Sequence, residues 1–274
     1  MVRHKYIFLV CALFLSCQEE SRPIISANKP IYFEPLDSIV TKTDSVRTVK
    51  DTTEQTPGWK RIYQFEAEQR LRSYGKENKE TKFKIVTQFG DIKVRLFKDT
   101  PLHRASTVLM IKHKLFNGSR FYRTRKKFII QGGFTDGPGA YERLIQIGQY
   151  KIPSELNPEK HPHIKGAFAL AGSDFSPGIE RDKKSNPFTF YIVQGSIQND
   201  ASLKNIELTY GIKISQDNKN KYKKSGGTPH LDNQYTVCGE VYAGIDVVEK
   251  ISKVRTNSSE HPQESIYLSI ELIK

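Results

Sequence analysis

Phe83, Ile85, Thr87 and Phe89 alternate with other residues, Gly90-Asp91 interrupts them, and Ile92, Val94 and Leu96 resume the alternation. A period of two places every second side chain on one face of an extended strand. The segment is therefore expected to be a β-hairpin turning at Gly90-Asp91. Short strand-like runs recur at 120–124, 128–131, 167–171, 188–193 and 235–241, and residues 266–272 alternate again. Asp99-Thr100-Pro101 supplies a start signal for a helix over about 102–114, with Leu102, Val108, Leu109 and Leu115 on its buried side. Residues 195–228 interrupt the pattern with a polar, lysine-rich insertion that holds two short helices, about 201–209 and 215–224. Many short strands with few helices give a mainly β chain, a barrel or a sandwich with helices attached.

The first seventeen residues read as an address. Arg3, His4 and Lys5 precede a ten-residue apolar run, Tyr6 to Leu15, which is too short for the roughly 20 residues of a membrane-spanning helix and fits a secretory signal. Phe14-Leu15-Ser16-Cys17 is similar to a lipobox, so 1–17 is expected to be a lipoprotein signal peptide with Cys17 the lipidated residue. A plain cleaved signal with an incidental cysteine is the alternative. Gln18-Glu19-Glu20 follow, like the surface-export signals of some lipoproteins. Residues 18–56, rich in Ser, Thr, Lys, Asp and Pro, read as a flexible tether. Pro57-Gly58 then opens a helix, Trp59 to about Tyr74, within an N-terminal segment 57–79. It is expected to lie against the following domain, with a membrane-surface helix as the alternative. Residues 18–78 bring no motif, so a chain starting near Asn78 is expected to fold.

Composition narrows the function classes. An apolar share of 37% allows a real core, which excludes global disorder. The net charge of +13 would suit an anionic partner, but apart from a cluster at 120–127 the basic residues are scattered. No nucleic-acid-binding motif accompanies them, so no nucleic-acid partner is expected. Cys11 lies in the leader and Cys17 is taken by lipid, which leaves Cys238 without a disulfide partner and reads it as a small core residue. His161-Pro162-His163 has no Cys, Asp or Glu partners at metal-ligand spacing, so a structural or solvent role is expected.

Phe121-Tyr122-Arg123 followed by Phe128-Ile129-Ile130-Gln131-Gly132-Gly133 resembles the F-x-R-x(4)-F-x-x-Q-G-G signature of cyclophilin-type peptidyl-prolyl cis/trans isomerases. Phe116-Asn117-Gly118, the run 165–171, Phe190-Tyr191-Ile192 and the run 231–241 match further segments of that family in order, over about residues 80–274. The resemblance implies a closed eight-stranded antiparallel barrel capped by two helices, with the tether and N-terminal helix preceding it and the 195–228 insertion within it. It also implies roles. Arg123 takes the catalytic position, and Gln131 orients that arginine and meets the peptide. Phe128, Ile129, Tyr191 and Leu231 floor a proline pocket, and Ala171 and Gly172 present backbone groups to the preceding residue. Thr189 stands where the family has glutamine, His230 where tryptophan or phenylalanine is common, and Tyr235 where histidine is frequent. These substitutions imply a shallower, more polar substrate pocket.

The chemistry so implied needs no nucleophile, metal or cofactor. Rotation about an Xaa-Pro bond is opposed by amide resonance, a barrier of about 18–20 kcal/mol. A twisted amide has lost that resonance and is less dipolar, so an apolar slot favours it, while a donor near the prolyl nitrogen stabilises the freed lone pair. The expected function is isomerisation that assists folding of exported or surface proteins. The expected partners are proline-containing polypeptides and, through Cys17, a membrane. The chain is expected to act as a monomer, an outer-membrane lipoprotein of the cell envelope facing the periplasm or the surface. The alternatives are a non-catalytic module that holds proline-containing segments of envelope proteins, and a structural envelope protein.

Overall fold

The computed structural model describes residues 59–133, 139–172 and 182–273. The leader, the tether and Cys17 lie outside the described residues. Eight strands run β1 Lys82–Thr87, β2 Gly90–Leu96, β3 Ser119–Thr124, β4 Ile129–Gly133, β5 Ala167–Gly172, β6 Ser185–Val193, β7 Val237–Ala243 and β8 Ile266–Leu272. Every neighbouring pair is antiparallel, and the sheet closes in the order β1-β2-β7-β5-β6-β4-β3-β8. Closure leaves no open edge. Alternation then sorts the side chains: Phe83, Ile85, Ile92, Val94, Ile130, Phe168, Leu170, Phe190, Ile192 and Cys238 all join the main buried core.

The first hairpin turns two residues earlier than the Gly90-Asp91 pair suggests. Thr87 pairs with Gly90, so Gln88-Phe89 form the loop. The Thr87 hydroxyl donates to the Gly90 carbonyl at 2.8 Å and accepts from the Phe89 N–H at 3.1 Å. Phe89 thus leaves the alternation and packs from outside on the core.

Helix α1 spans Ala67–Glu77 and α2 spans Pro101–Lys112. The helical segment expected from Trp59 begins eight residues later, because 59–63 run as coil into a 3-10 turn at Gln64–Glu66. Every residue of α2 from Leu102 to Ile111 is buried, as befits a helix covered on all sides. Asp99 does not cap it, being paired with Lys160 at 2.6 Å and His161 at 3.0 Å, contacts that hold its carboxyl down at about 2. Glu155 supplies the cap: its carboxylate accepts from the backbone N–H groups of Leu102 and His103 at 3.1 and 3.0 Å, satisfying orphan donors at the positive end of the helix. Glu155 also meets His103 Nδ1 at 2.7 Å.

Four more helices follow: α3 Ala140–Ile147, α4 Asp200–Tyr210, α5 Gln216–Ser225 and α6 Ile245–Ser252. The insertion helices α4 and α5 fall within a residue or two of their expected ranges, and neither α3 nor α6 had a counterpart placed in the sequence expectation. Both insertion helices start on side-chain caps, Asn199 accepting from Ser202 N–H and Ser215 from Asn218 N–H.

α1 is no appendage. Ile62, Ala67 and Leu71 belong to the same core as the barrel interior, and the Ile62 N–H donates to Ile147 O at 2.8 Å. Arg104, 9% exposed on α2, spends its guanidinium on the carbonyls of Gly75 and Asn78 at 2.8 and 2.7 Å. Removing residues before Asn78 would expose that core and leave a buried charge short of partners. A chain starting near Asn78 is therefore not expected to fold well, contrary to the reading from motifs alone. Leu71→Ala should cost about 2–5 kcal/mol, the range for truncating a buried leucine, measured by urea unfolding of the protein. A loss below about 0.5 kcal/mol would make α1 peripheral after all.

Candidate active site

Directly opposed residues on neighbouring strands project to the same face of a sheet. Arg123 opposes Gln131, Gln131 opposes Tyr191, Tyr191 opposes Ala169, and Ala169 opposes Val237. One outward row thus crosses β3, β4, β6, β5 and β7. Ile129, Ala167, Ala169, Ala171, Tyr191, Val193, Leu231 and Val237 form a second apolar cluster, separate from the barrel interior, with Phe97, Phe128 and Tyr235 on its margin. Small alanines on β5 keep this outer face low while Tyr191 and Leu231 stand beside them.

Arg123 reaches the outer row through an irregularity of β3. Phe121 opposes Gly132 and Arg123 opposes Gln131, so β3 advances two residues while β4 advances one. Tyr122 is the extra residue of a β-bulge, a device that re-aims side chains. Without it Arg123 would oppose Ile130 and point into the core. Beyond this pair, Gly133 takes φ +134, and a Cβ there would stand 2.3 Å from Phe188 O, so the strand ends as only glycine can.

The guanidinium of Arg123 lies beside the ring of Phe128, its Cζ 5.8 Å from the centroid, and Arg125 approaches the same ring at 5.5 Å. Its Nε donates to Glu260 Oε2 at 2.7 Å. Gln131 was expected to hold this arginine and does not. Its side-chain amide donates instead to the Tyr122 hydroxyl at 2.7 Å, and Thr189 bonds to the same hydroxyl. The bulge explains the exchange, since it sets the Tyr122 hydroxyl within reach of Gln131 while Glu260 occupies the arginine. Burial pushes the Tyr122 hydroxyl up to about 12, which keeps it protonated as a hydrogen-bonding group.

The other expected residues gather around the same cluster. Ile129, Ala171, Tyr191 and Leu231 are buried, and Phe128 and Tyr235 are partly exposed at its margin. Tyr235 meets Tyr191 edge-on at 5.8 Å. Gly172 closes β5, opposite Ser185. His230 stacks on Phe128 with centroids 5.4 Å apart and planes 19° apart, so it lies flat against the ring of the expected floor. Desolvation, then the neighbouring His163, pushes it down to about 4; at neutral pH it is an uncharged aromatic plate. Tyr210, from the end of α4, follows at 5.5 Å from His230.

Behind Tyr191 lies a polar network. Asp232, 4% exposed, accepts from the His163 N–H at 3.0 Å, from His163 Nδ1 at 2.8 Å and from the Tyr222 hydroxyl at 2.6 Å. On its other side, His163 Nε2 meets the Tyr191 hydroxyl at 2.9 Å. Hydrogen bonds to a buried carboxylate are worth about 1.5–3 kcal/mol each, so the insertion helix α5, through Tyr222, Asp232 and His163, braces Tyr191 of the outer row. His163 thus links the buried Asp232 to Tyr191. Sequence reasoning missed Glu260, Tyr122 and this brace. Glu260 is 137 residues from Arg123 and belongs to no motif, and only the pairing of β3 with β8 brings its loop near.

A family model for "Cyclophilin type peptidyl-prolyl cis-trans isomerase/CLD" matches residues 82–271. A Rhizopus delemar protein named peptidyl-prolyl cis-trans isomerase-like 2 is 26% identical over 194 residues, covering 70% of this chain and 29% of its own length. The chain thus spans less than a third of that relative. A Staphylococcus aureus protein provisionally named a peptidyl-prolyl cis-trans isomerase is 27% identical over 204 residues, covering 72% of this chain and 96% of its own length. The crystal structure of a cyclophilin-type isomerase from Cryptosporidium parvum has a TM-score of 0.50 at 17% identity, covering 71% of this chain and 98% of that one, and it shares the fold. With the eight-stranded closed barrel and the F-x-R and F-x-x-Q-G-G strands side by side on it, the chain belongs to the cyclophilin-type peptidyl-prolyl cis-trans isomerase family.

Proposed function

We propose that the protein isomerises Xaa-Pro bonds in extended polypeptide segments. The observation that carries this reading is the guanidinium of Arg123 beside Phe128, at the margin of an outward apolar cluster. A proline ring laid on Ile129, Tyr191 and Leu231 would be desolvated there, and the planar amide with its dipole would be destabilised relative to the twisted one. The terminal nitrogens of Arg123 would donate to the prolyl nitrogen as it pyramidalises. Five decades of acceleration correspond to about 7 kcal/mol, whereas one charge-assisted hydrogen bond offers about 1.5–3 kcal/mol. Desolvation and fixed orientation of the peptide therefore supply the larger share. A second reading, a module that holds proline-containing segments without turning them over, draws on Gln131 being committed to Tyr122 instead of Arg123.

Arg123→Ala should lower kcat/KM by about 10- to 150-fold, the equivalent of that one bond, in a protease-coupled assay on Xaa-Pro peptides, with the thermal midpoint nearly kept. Arg123→Lys should also be poor, because an ammonium lacks the planar fork that lets one nitrogen be anchored while others act. Wild-type rates in both variants would reject the catalytic reading.

The site of action follows from the N-terminus. Cys17 after an apolar leader supports an acylated anchor, with 18–56 as the tether to a monomeric folded domain, α1 included, that acts on exported or surface proteins. Several acyl chains hold a protein stably where one does not. Cys17→Ala should leave an unprocessed or soluble form. Wild-type protein found wholly in the soluble fraction, with no incorporated fatty acid, would contradict the anchor.

A further inference from the structure

The carboxylate of Glu260 meets two arginines of the β3 strand end, Arg123 Nε at 2.7 Å and Arg125 Nε at 3.2 Å. Its backbone is fixed as firmly as its side chain. Glu260 O accepts from the Thr124 N–H at 2.9 Å, and the Glu260 N–H donates to Asn257 O at 3.0 Å. The Asn257 side-chain oxygen in turn accepts from the N–H groups of Ser259 and His261 at 2.9 and 3.0 Å. Glu260 itself sits at φ +64, a conformation a β-carbon resists. A residue held this way, with its carbonyl on the strand next to Arg123 and its carboxylate on the guanidinium, fixes where that guanidinium lies.

The choice of nitrogen matters. A carboxylate engaging Nε leaves the two terminal amino groups of Arg123, which no described residue accepts from, on a guanidinium whose Cζ lies 5.8 Å from the Phe128 ring centroid. A carboxylate engaging the terminal nitrogens would have blocked the donors a prolyl amide needs. Gln131, which the family resemblance gives the task of orienting the arginine, is spent on Tyr122.

We infer that Glu260 is the positioning residue of this active site, anchoring Arg123 through Nε so that its terminal nitrogens face the bound proline. The inference rests on the isomerase reading. Because Glu260 acts through Arg123 and touches no substrate, its loss should appear in kcat and leave KM almost unchanged.

The test is a double-mutant cycle on the whole protein with a spectroscopic arm. Glu260→Ala should lower kcat/KM about tenfold, at the lower end of the loss expected for removing Arg123 itself. Glu260→Gln, which keeps an acceptor oxygen at the same reach, should recover part of that loss. In an Arg123→Ala background Glu260→Ala should change the rate by less than about twofold, because interacting residues are not additive. The Arg123 Nε–H resonance should exchange slowly with solvent in the wild type and in Glu260→Gln, and rapidly in Glu260→Ala. Should Glu260→Ala fail to fold, the cycle is run with Glu260→Gln, where a loss present with Arg123 and absent without it supports the inference. Equal losses with and without Arg123, wild-type rates in both Glu260 variants, or a rapidly exchanging Nε–H in the wild type would overturn it. An inert wild type would overturn the isomerase reading itself. A wild type that turns over but is indifferent to Glu260 would overturn only the positioning role.

Discussion

Because β3 carries one residue more than β4 between the Phe121–Gly132 and Arg123–Gln131 pairs, the arginine leaves the barrel interior and joins the outer row. Everything in the site depends on that displacement. A strand with strict alternation would place Phe121 and Arg123 on one face, and that face is a dry core containing Ile130, Phe190 and Leu268. An unpaired guanidinium there would cost several kcal/mol. The bulge at Tyr122 lets one short strand bury a phenylalanine and still present a cation two residues later.

The same alternation gives β4, β5 and β6 apolar groups on both faces. Ile130, Phe168, Leu170, Phe190 and Ile192 fill the barrel, while Ile129, Ala167, Ala169, Ala171, Tyr191 and Val193 line its outside. An outward apolar surface needs cover or a ligand. Part of the cover comes from the insertion. Tyr222 on α5 reaches the buried Asp232, and Tyr210 on α4 stands against His230. The insertion is thus built onto this outer face, with Phe128, His230 and Tyr210 in one aromatic row.

Much of this was legible in sequence, for a physical reason. Strand alternation is local, and so are the caps at Asn199 and Ser215; the eight strands and the two insertion helices follow from them. The closed barrel and the identity of the site residues needed the family resemblance, since Ile129 or Tyr191 alone reads as ordinary core. What sequence did not disclose was set by contacts between distant segments. Glu155 caps α2 from about fifty residues away, α1 joins the core through Ile62 and Leu71, and Glu260 takes the guanidinium that the motif assigns to Gln131. Nothing in the spacing of Asn257, Ser259 and Glu260 points to Arg123 until β3 and β8 are paired.

The central claim is that an apolar face with a fixed arginine at its margin turns peptides over as well as holding them. Magnetization-exchange spectroscopy between the cis and trans signals of an Xaa-Pro peptide tests it most directly, because uncatalysed exchange takes tens to hundreds of seconds. With substoichiometric protein the account predicts cross-peaks between the two isomers within about a second, lost when Arg123 is replaced by alanine. Peptide signals that shift or broaden on binding while the isomers show no exchange would contradict it and leave a binding module.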